Sequence, residues 1–513
     1  MPSKVFSGAI IGLDATLVEV EIDMAHGLRS FTIVGLGDKT VEQSKERIDS
    51  ALKSSKLASP SQKTFKILVN LAPADVKKEG SLYDLPIALA FLIASKQTSF
   101  NPENKLFLGE LSLDGKLRPV KGALSFALLC KKQGISELIL PKQNANEASL
   151  IKEVKVIGVE SLAEALAYLE NRTTIVPHIS VLPTTNYSLP TDIDISWVKG
   201  QEYAKRALEI TAAGAHNLFF SGPPGGGKSL LAKALPSILP PLNFHEALEV
   251  TKIYSVAGLL KENETMVATR PFRAPHHIAS ESSLMGGGTP IRPGEITLAH
   301  RGVLFLDEFP EFHRDVLESL RQPIEEGKIT ISRAKNTFTF PSRFMLIGAS
   351  NPCPCGFLGS PDRPCICSPS QVSMYKRKLS GPLMDRIDIF IEVPAIKYEK
   401  LADNSPLNKS IAMKDNIQRA REIQKARFAG DPQASSGRVI LVNSEMQIPE
   451  IKKYCAHDQK SQDLLKQYVD SGKLSARGYH RILKVARTIA DLAAAPNIEY
   501  DHIAEALMYR LKA

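Results

Sequence analysis

Stretches of apolar residues with strand-like and helix-like spacing divide this chain into successive regions. In residues 1–170, the segments "ATLVEVEID", "FKILVNL", "ELILP" and "VKVIGV" predict strands. Between them, "SLYDLPIALAFLIAS" and "VKGALSFALLCKKQG" predict helices. This mixture predicts one compact α/β domain over residues 1–170.

A second α/β region follows a break in this patterning. Residues 171–195 are rich in proline, serine and threonine without lasting periodicity, which predicts a linker. Over residues 196–400, helical segments alternate with the apolar strands "NLFFSG", "GVLFLDE" and "RFMLIGAS", which is typical of a mainly parallel sheet covered by helices. Residues 401–513 predict helices, including one whose apolar face is formed by Ile482, Leu483, Val485, Ile489 and Leu492.

The stretch "GKITISRAKNTFTF", residues 327–340, has apolar residues at every second position on both sides of a short polar centre. Ile329 and Ile331 precede the centre, and Phe338 and Phe340 follow it. This spacing predicts a β-hairpin whose tip carries the cationic residues Arg333 and Lys335. The alternative is an ordinary surface hairpin whose charges only keep it soluble.

Composition narrows the class of protein. The chain has 513 residues, 43% of them hydrophobic, and a formal net charge of +9. This length supports about three domains. No run of about eighteen apolar residues appears, and Asp14 interrupts the segment where a signal peptide would need its cleavage site, so we expect a cytoplasmic protein without a membrane partner. The basic balance favours a polyanionic partner without requiring one.

A phosphate-binding motif stands between a predicted strand and a predicted helix, in "LFFSGPPGGGKSLLAKAL". Its glycines let the backbone turn its N–H groups toward phosphates, and the helix start adds positive potential. In such a loop the lysine reaches the β and γ phosphates, and the serine ligates Mg²⁺. The sequence therefore predicts that ATP and Mg²⁺ are bound by Gly222, Pro223, Pro224, Gly225, Gly226, Gly227, Lys228 and Ser229.

Polar residues follow two of the predicted core strands. Asp307 and Glu308 come directly after the apolar run 303–306, and Asn351 follows "RFMLIGAS". After a phosphate loop, such an acidic pair predicts that Asp307 holds hydrated Mg²⁺ and that Glu308 orients and deprotonates the attacking water. Asn351 can position the same water, although an ordinary turn residue before proline is the alternative.

Four of the six cysteines fall within fifteen residues, as Cys353-x-Cys355 and Cys365-x-Cys367. The glycines and prolines between the pairs let the chain turn and bring the four sulfurs together. Four thiolates suit tetrahedral Zn²⁺, so we expect a structural zinc site that pins the loop after Asn351. Free thiols or a redox pair are the alternative.

The order of these parts resembles that of the AAA+ ATPases, in particular the magnesium-chelatase-like branch and its YifB/ComM subgroup. The resemblance covers nearly the whole chain and rests on "FRAPHHIASESSLMGGGTPIRPGEITLAHRGVLFLDEFPEF", "LESLRQPIEEGKITISRA", "NPCPCGFLG" and "SGPLMDRIDI". It implies an AAA+ P-loop NTPase core with a C-terminal helical lid, assembled as a homo-hexameric ring with ATP between neighbours.

The same resemblance implies roles for single residues. Asn351 corresponds to sensor 1, Arg386 to the arginine finger that reaches a neighbour's γ-phosphate, and Arg477 to the sensor 2 arginine of the lid. The hairpin corresponds to the pre-sensor 1 hairpin, so Arg333, Lys335 and Asn336 are expected to contact DNA in the central channel.

A helix 2 insertion over residues 270–300 is also implied. There Arg270, Arg273, His276 and His277 can reach nucleic acid, but for the two histidines ordinary loop or packing roles are the stronger alternative.

The first domain resembles the proteolytic domain of Lon, which has the ribosomal S5 domain 2-like α/β fold, most clearly in "GELSLDGKLRPVKGALSFALLCKKQGISELILPKQNANE". The catalytic residues do not carry over, because the serine and lysine columns fall on Leu82 and Leu124. Ser81 and Lys121 lie nearby but off register. We therefore expect no peptidase activity, and expect the domain to hold subunits together or to guide a substrate.

The resemblance to the YifB/ComM subgroup implies a hexameric ATP-driven DNA motor, with helicase or branch-migration activity during recombination of incoming DNA in natural transformation, and the hairpin and the basic balance are consistent with it. The expected partner is forked or branched DNA, and the sequence leaves the choice between single and double strands undecided. The alternative is a protein-remodelling AAA+ ATPase, of magnesium-chelatase type or chaperone-like. A non-enzymatic scaffold would require an impaired ATP site, and the motif residues are all present.

Overall fold

The structure is a computed structural model. It describes residues 2–62, 64–180, 193–261, 264–288, 291–332, 337–360, 363–379, 381–395, 409–429 and 440–510.

The front part of the chain forms a mixed sheet with helices on both faces. Its strands are β1 (Ser3–Ile11), β2 (Asp14–His26), β3 (Ser30–Val34), β4 (Phe65–Ala72), β5 (Lys105–Phe107), β6 (Glu110–Leu111), β7 (Leu117–Arg118), β8 (Glu137–Pro141) and β9 (Lys155–Val159). Its helices are α1 (Lys39–Glu42), α2 (Ser44–Ser54), α3 (Asp84–Ala94), α4 (Ala123–Gln133), α5 (Ala145–Ala148) and α6 (Leu162–Leu169). The sheet order is β3-β4-β2-β1-β5-β8-β9, and β6 pairs separately with β7.

Sequence pattern explains the two longest strands of this sheet. In β2, Val18, Val20 and Ile22 are fully buried, whereas the residues between them are only partly covered. β1 and β2 form an antiparallel hairpin in which Ile11 faces Asp14. Its two-residue turn begins at Gly12, whose φ of 65° favours glycine.

The middle of the chain forms a five-stranded parallel sheet. Its strands are β10 (Leu218–Ser221), β11 (Phe272–Arg273), β14 (Val303–Leu306), β17 (Met345–Ser350) and β18 (Ile389–Glu392). Their order in the sheet is β11-β14-β17-β10-β18. Every residue of β14 and β17 is buried, which explains their uninterrupted apolar runs. This arrangement confirms the predicted mainly parallel α/β core.

Helices and two short hairpins surround this sheet. The helices are α7 (Glu202–Gly214), α8 (Lys228–Ala234), α9 (Phe244–Ala257), α10 (Glu281–Met285), α11 (Glu295–Leu298), α12 (Arg314–Ser319), α13 (Arg321–Glu326) and α14 (Pro369–Lys378). The hairpins pair β12 (Gly286–Gly287) with β13 (Arg292–Pro293), and β15 (Lys328–Ser332) with β16 (Thr337–Pro341).

The C-terminal part is helical, as predicted, and packs on α7. Its helices are α15 (Lys409–Ala429), α16 (Ile448–Tyr454), α17 (Gln459–Asp470), α18 (Ala476–Leu492) and α19 (Tyr500–Met508). One hydrophobic cluster contains Leu208 of α7, Ile417 of α15 and Ile489 of α18. The helical part is therefore continuous with one face of the core sheet.

Polar contacts join the front sheet to the core. The Nζ atom of Lys252 on α9 forms an ion pair with Asp14, and the N–H of Gly122 donates to the carbonyl of Ser255 at 3.2 Å. A Cβ atom on Gly12 would lie 3.4 Å from Cδ1 of Phe338, so the β1–β2 turn also lies against the β15–β16 hairpin. The front domain is thus in contact with two elements of the core.

The segment predicted as a linker has its own contacts with the front domain. Residues 171–180 contain neither helix nor strand, but the N–H of His178 donates to Val156 of β9 at 2.8 Å. The hydroxyl of Ser180 donates to the carbonyl of Ser149 at 3.2 Å. Residues 181–192 lie outside the described part of the chain.

Candidate nucleotide site

The glycine-rich loop begins where β10 ends and is closed by the start of α8. A Cβ atom on Gly222 would lie 2.1 Å from the carbonyl oxygen of Val393, so only glycine fits there. Gly225 and Gly227 have φ values of 80° and 85°, which disfavour other residues. The local structure of the loop therefore explains why glycine occupies these three positions of the motif.

Lys228 is held in the interior of this loop, with only 8% of the residue exposed. Its Nζ atom donates to the carbonyls of Gly222 and Pro223 at 2.6 and 2.9 Å, and to Oδ1 of Asn351 at 3.1 Å. Burial lowers the pKa of Lys228, and the charge of Asp307 opposes that shift. The structure therefore brings together the predicted lysine and the predicted asparagine.

Ser229 and Asp307 meet at the same edge of the sheet. The Ser229 hydroxyl donates to Oδ2 of Asp307 at 2.6 Å, and the N–H of Glu308 donates to Oδ1 of Asp307 at 2.9 Å. The carboxyl ends of β10, β14 and β17 lie side by side because these strands are parallel neighbours. A hydroxyl and a carboxylate oxygen so close together form a donor set that fits Mg²⁺, which prefers oxygen ligands.

The carboxylate of Glu308 faces an imidazole. Glu308 has a left-handed backbone, with φ of 50°, and its Oε2 atom lies 3.1 Å from Nδ1 of His277. The ring of His276 lies beside that of His277, with ring centroids 4.2 Å apart. From the sequence, His277 was expected either to reach nucleic acid or, as the stronger alternative, to have an ordinary loop or packing role. Its contact with Glu308 was not predicted, because the segment that carries His277 has no regular periodicity.

Gln201 is a residue of this site that no sequence pattern singled out. It stands at the start of α7 with a left-handed φ of 56°. Its Nε2 atom donates to the carbonyls of Pro394 at 2.7 Å and of Gly226 at 3.4 Å. The amide thus connects the glycine-rich loop with the chain beyond β18. The stretch "VKGQEYAKRAL" before the loop was the available signal.

Arg386 lies at the opposite end of the sheet from Lys228. The amide of Asn217, the residue before β10, donates to the carbonyl of Arg386 at 3.2 Å. The Arg386 side chain is nearly buried and forms an ion pair with Glu325, with nitrogen and oxygen 2.6 Å apart. A strand the length of β10 separates the two ends by about 13 Å.

Arg477 lies at that same far end. It is exposed in the first turn of α18. A Cβ atom on the next residue, Gly478, would lie 3.0 Å from Nε of Arg510, whose Nη1 atom donates to the carbonyl of Ile387 at 2.7 Å. Arg510 therefore connects the start of α18 with the residue after Arg386, and no hydrogen bond or ion pair among the described residues joins Arg386 or Arg477 to the glycine-rich loop.

The arginines expected to reach nucleic acid from the insertion are engaged inside the protein. Arg270 is in an ion pair with Glu246 at 3.0 Å, and only 8% of its side chain is exposed. Arg273 forms a two-pronged pair with Glu295, at 2.6 and 2.7 Å. Because Arg270 is buried, a DNA contact through its guanidinium does not fit this structure.

The predicted hairpin is confirmed along its strands. Ile329 faces Phe340 and Ile331 faces Phe338, and the first of these pairs is fully buried. A Cβ atom on Gly286 would lie 3.4 Å from Cδ1 of Ile331, so the β12–β13 hairpin is adjacent. The predicted DNA contacts Arg333, Lys335 and Asn336 lie outside the described residues.

The four clustered cysteines converge in the loop after β17. The sulfur atoms of Cys353, Cys355, Cys365 and Cys367 all lie within 4.8 Å of one another.

In the front domain, the residues near the Lon columns have other partners. The Ser81 hydroxyl hydrogen-bonds the carboxylate of Glu110, and Leu124 is fully buried. The side chain of Lys121 lies against Gly258 of the core, since a Cβ atom there would be 2.6 Å from its Cε. Among the described residues, no helix combines the length and the apolar character needed to cross a bilayer.

Comparison with known proteins agrees with this architecture. Family models described as magnesium chelatase, subunit ChlI, match residues 194–401 and 20–144, and a model of the ChlI C-terminal region matches residues 408–510. The chain is 42% identical to competence protein ComM of Haemophilus influenzae, over 99% of this chain and 97% of that protein. It is 40% identical to the uncharacterized protein YifB of Escherichia coli over 99% of this chain and 97% of that protein.

More distant similarity is confined to part of the chain. The magnesium-chelatase 38 kDa subunit of Rhodobacter capsulatus is 28% identical over 31% of this chain and 49% of that protein. The full-length matches to ComM and YifB, the three family models and the parallel-sheet core all agree. The chain belongs to the magnesium-chelatase family of AAA+ proteins, in the group that contains ComM and YifB.

Proposed function

We propose that this protein is an ATP-driven DNA motor that works as a homo-hexameric ring and promotes strand separation or branch migration during recombination of incoming DNA. The observation that carries the ATPase part is the convergence of Lys228, Ser229, Asp307 and Asn351 at one edge of the core sheet. Family membership supports the same activity. We also retain the predicted division into a front domain (1–170), linker (171–195), core (196–400) and lid (401–513).

Each residue of this site has a definite task in the proposed hydrolysis. Lys228 binds the β and γ phosphates once its Nζ atom leaves the loop carbonyls, and Asn351 keeps that ammonium group in place. Ser229 and Asp307 hold Mg²⁺, which when bound neutralises charge on the phosphates. Glu308 orients the attacking water and accepts its proton.

The placement of Arg386 and Arg477 supports assembly. Both arginines lie at the sheet end opposite the glycine-rich loop, so neither can stabilise the γ-phosphate bound by its own chain without a large movement. In a ring that joins one subunit's arginine end to the next subunit's phosphate loop, they reach ATP in the neighbour. An arginine finger of this kind is worth about 10³ to 10⁵ in rate.

The DNA part of the proposal rests on three observations. The relative with 42% identity over the full length is a competence protein. The net charge is +9, and Arg333 and Lys335 stand in the sequence between the two strands of the hairpin. Ile329 and Phe340 are buried at the hairpin base, which anchors the strands that carry the tip. Cationic side chains in a channel grip the phosphate backbone without reading sequence.

The test is a strand-separation and branch-migration assay on forked and four-way DNA. It compares the wild type with Lys228→Ala, with Arg333→Ala/Lys335→Ala, and with a control that removes two charges elsewhere, Lys131→Ala/Lys132→Ala on α4. We expect the hairpin variant to keep its assembly but to lose translocation. Its slope of log affinity against log salt should fall by about two, whereas the control keeps the wild-type slope.

Two results would contradict the proposal. Unchanged unwinding by the hairpin variant would show that another element grips DNA. ATP turnover that responds to no DNA of any structure would favour the protein-remodelling alternative.

A further inference from the structure

The loop after β17 brings four thiols into tetrahedral proximity. The sulfur of Cys353 lies 3.4 Å from that of Cys355 and 3.7 Å from that of Cys365, and the sulfurs of Cys355 and Cys365 are 3.6 Å apart. Cys353 is buried and the other three are partly exposed. The pairs come from two separate stretches of chain, so their convergence is a property of the folded loop.

These distances fit one zinc ion. A tetrahedral site with Zn–S bonds of about 2.3 Å places its sulfurs about 3.8 Å apart. A disulfide requires about 2.05 Å, and the four thiols are free. Thiolate ligands without a carboxylate favour Zn²⁺ over Mg²⁺ or Ca²⁺.

A backbone amide supports one of the sulfur atoms. The N–H of Cys355 lies 3.4 Å from the sulfur of Cys367. Hydrogen bonds of this kind orient metal ligands and stabilise their negative charge. The loop therefore supplies both the ligands and a donor beside one of them.

The same loop lies against the nucleotide site. Asn351, two residues before Cys353, accepts the hydrogen bond from Lys228 at 3.1 Å. Gly356, directly after Cys355, has a φ of 85°, and a Cβ atom on it would lie 2.6 Å from Cδ of Pro224 and 3.8 Å from Cγ of Asn351. Gly356, the residue directly after Cys355, thus lies against Pro224 of the phosphate loop.

The far end of the loop is also tied to Asn351. Tyr375 on α14 is largely buried, which raises the pKa of its phenol to about 12, and the backbone of Asn351 acts against that rise. Its helix begins two residues after Cys367 and is capped by Ser368, which accepts from the N–H of Gln371. Both ends of the cysteine loop therefore meet at the asparagine that holds Lys228.

We propose that Cys353, Cys355, Cys365 and Cys367 bind one structural Zn²⁺ per chain, and that this ion holds Asn351 and Gly356 in position against the phosphate loop. With four protein ligands the ion has no open position for substrate. Its effect on ATP binding rests on the proposed nucleotide site, whereas the metal site itself does not.

The first test is metal analysis of the full-length protein purified without chelator. We expect one zinc per chain in the wild type and less than about a tenth of that in Cys353→Ser/Cys365→Ser, since a tetrahedral site needs its full ligand set. The control is Cys130→Ser/Cys455→Ser, which alters the two buried cysteines outside the loop and should keep its zinc. Absence of zinc from wild-type protein that was also reconstituted with ZnCl₂, or iron in its place, would overturn the proposal.

The second test separates the metal from its effect on nucleotide. Zinc is removed from the wild type with a chelator and then restored, and binding of a fluorescent ATP analogue is measured at each stage. We expect affinity to fall roughly tenfold and to recover, because the Lys228–Asn351 hydrogen bond involves a charged group. Unchanged affinity of zinc-free protein would overturn the coupling, while failure of the zinc-loaded wild type to bind any ATP would contradict the proposed function instead.

A pair of glycine variants tests the contact itself. Gly356→Ala should retain zinc but weaken ATP binding, because its Cβ atom would collide with Pro224. Gly359→Ala is the matched control, since Gly359 has a similar φ of 75° but open space around its Cβ position. Equal ATP affinity in the two variants would show that the loop does not act through Gly356.

Discussion

Nδ1 of His277 lies 3.1 Å from Oε2 of Glu308, the carboxylate that we propose as the base in ATP hydrolysis. This contact occupies one of the two oxygens that Glu308 needs to orient water. His277 comes from the loop after β11, the edge strand beside β14. The contact therefore links the position of that loop to the orientation of the Glu308 carboxylate.

Removing the imidazole should release Glu308. We expect His277→Ala to raise ATP hydrolysis in the absence of DNA by up to about fivefold, because a partly exposed ionic contact of this kind contributes about 0.2 to 1 kcal/mol. The measurement is steady-state phosphate release. His276→Ala is the control, because it removes the neighbouring ring but not the contact with Glu308. A lower rate in His277→Ala would mean that the imidazole holds Glu308 in its working position.

Mixed assemblies can test whether Arg386 acts on a neighbouring subunit. Lys228→Ala has a damaged phosphate loop and an intact Arg386, whereas Arg386→Ala has the reverse. If the arginine acts in trans, a one-to-one mixture of these inactive proteins should recover roughly a quarter of wild-type ATPase activity, since one in four random interfaces then has both parts intact.

A control mixture and a check on subunit exchange make this result interpretable. A mixture of Lys228→Ala with the double variant Lys228→Ala/Arg386→Ala should stay inactive. No recovery in the first mixture, with subunit exchange demonstrated by fluorescence energy transfer, would show that Arg386 works within its own chain or only supports the fold through Glu325.

Asp388 should be important for the stability of the core. It is buried before β18, accepts from the N–H of Asn217 at 2.9 Å and forms an ion pair with Arg481 of α18. We expect Asp388→Asn to lower the free energy of unfolding by about 2 to 3 kcal/mol, because Arg481 loses its partner. Urea unfolding measures this change, and the exposed Asp470→Asn on α17 is the control.

The Asp388 carboxylate should also make the free energy of unfolding depend on pH. Burial alone would raise the pKa of Asp388, but the charge of Arg481 and the imidazole of His216, whose Nδ1 atom lies 3.6 Å from Oδ2, hold that pKa well below its usual value. A lowered pKa in the folded state stabilises the protein above the unfolded-state pKa of about 3.9, and this contribution is lost as pH falls below that value. The difference between wild type and Asp388→Asn should therefore shrink below about pH 4.

Regular periodicity and motif spacing made much of this structure predictable. The strands around Val18 and Phe305 and the helix containing Leu89 follow directly from their apolar patterns. The meeting of Lys228 with Asn351, and of Ser229 with Asp307, follows because parallel neighbouring strands end at one edge. The spacing of the motifs then determines which residue follows the carboxyl end of each of these strands.

Contacts made by irregular chain were not predictable in this way. His277 lies on a loop without regular hydrophobic periodicity and contacts Glu308. Glu325, on the short helix α13, forms an ion pair with Arg386. Arg270 looked available for nucleic acid because its partner Glu246 is twenty-four residues earlier in the chain. Such pairings depend on the packing of several elements at once, which single-sequence patterns do not encode.

The turn between β1 and β2 gives the front domain a mechanical place in the proposed motor. Gly12 lies against Phe338 of the β15–β16 hairpin, and the next residue, Leu13, shares a hydrophobic cluster with Phe340 at the hairpin base. The carbonyl of Leu13 is in turn bonded by the hydroxyl of Ser125 on α4. In the proposed motor, a movement of the hairpin along DNA would therefore have to move or deform the β1–β2 turn. The front domain is thus mechanically coupled to the hairpin.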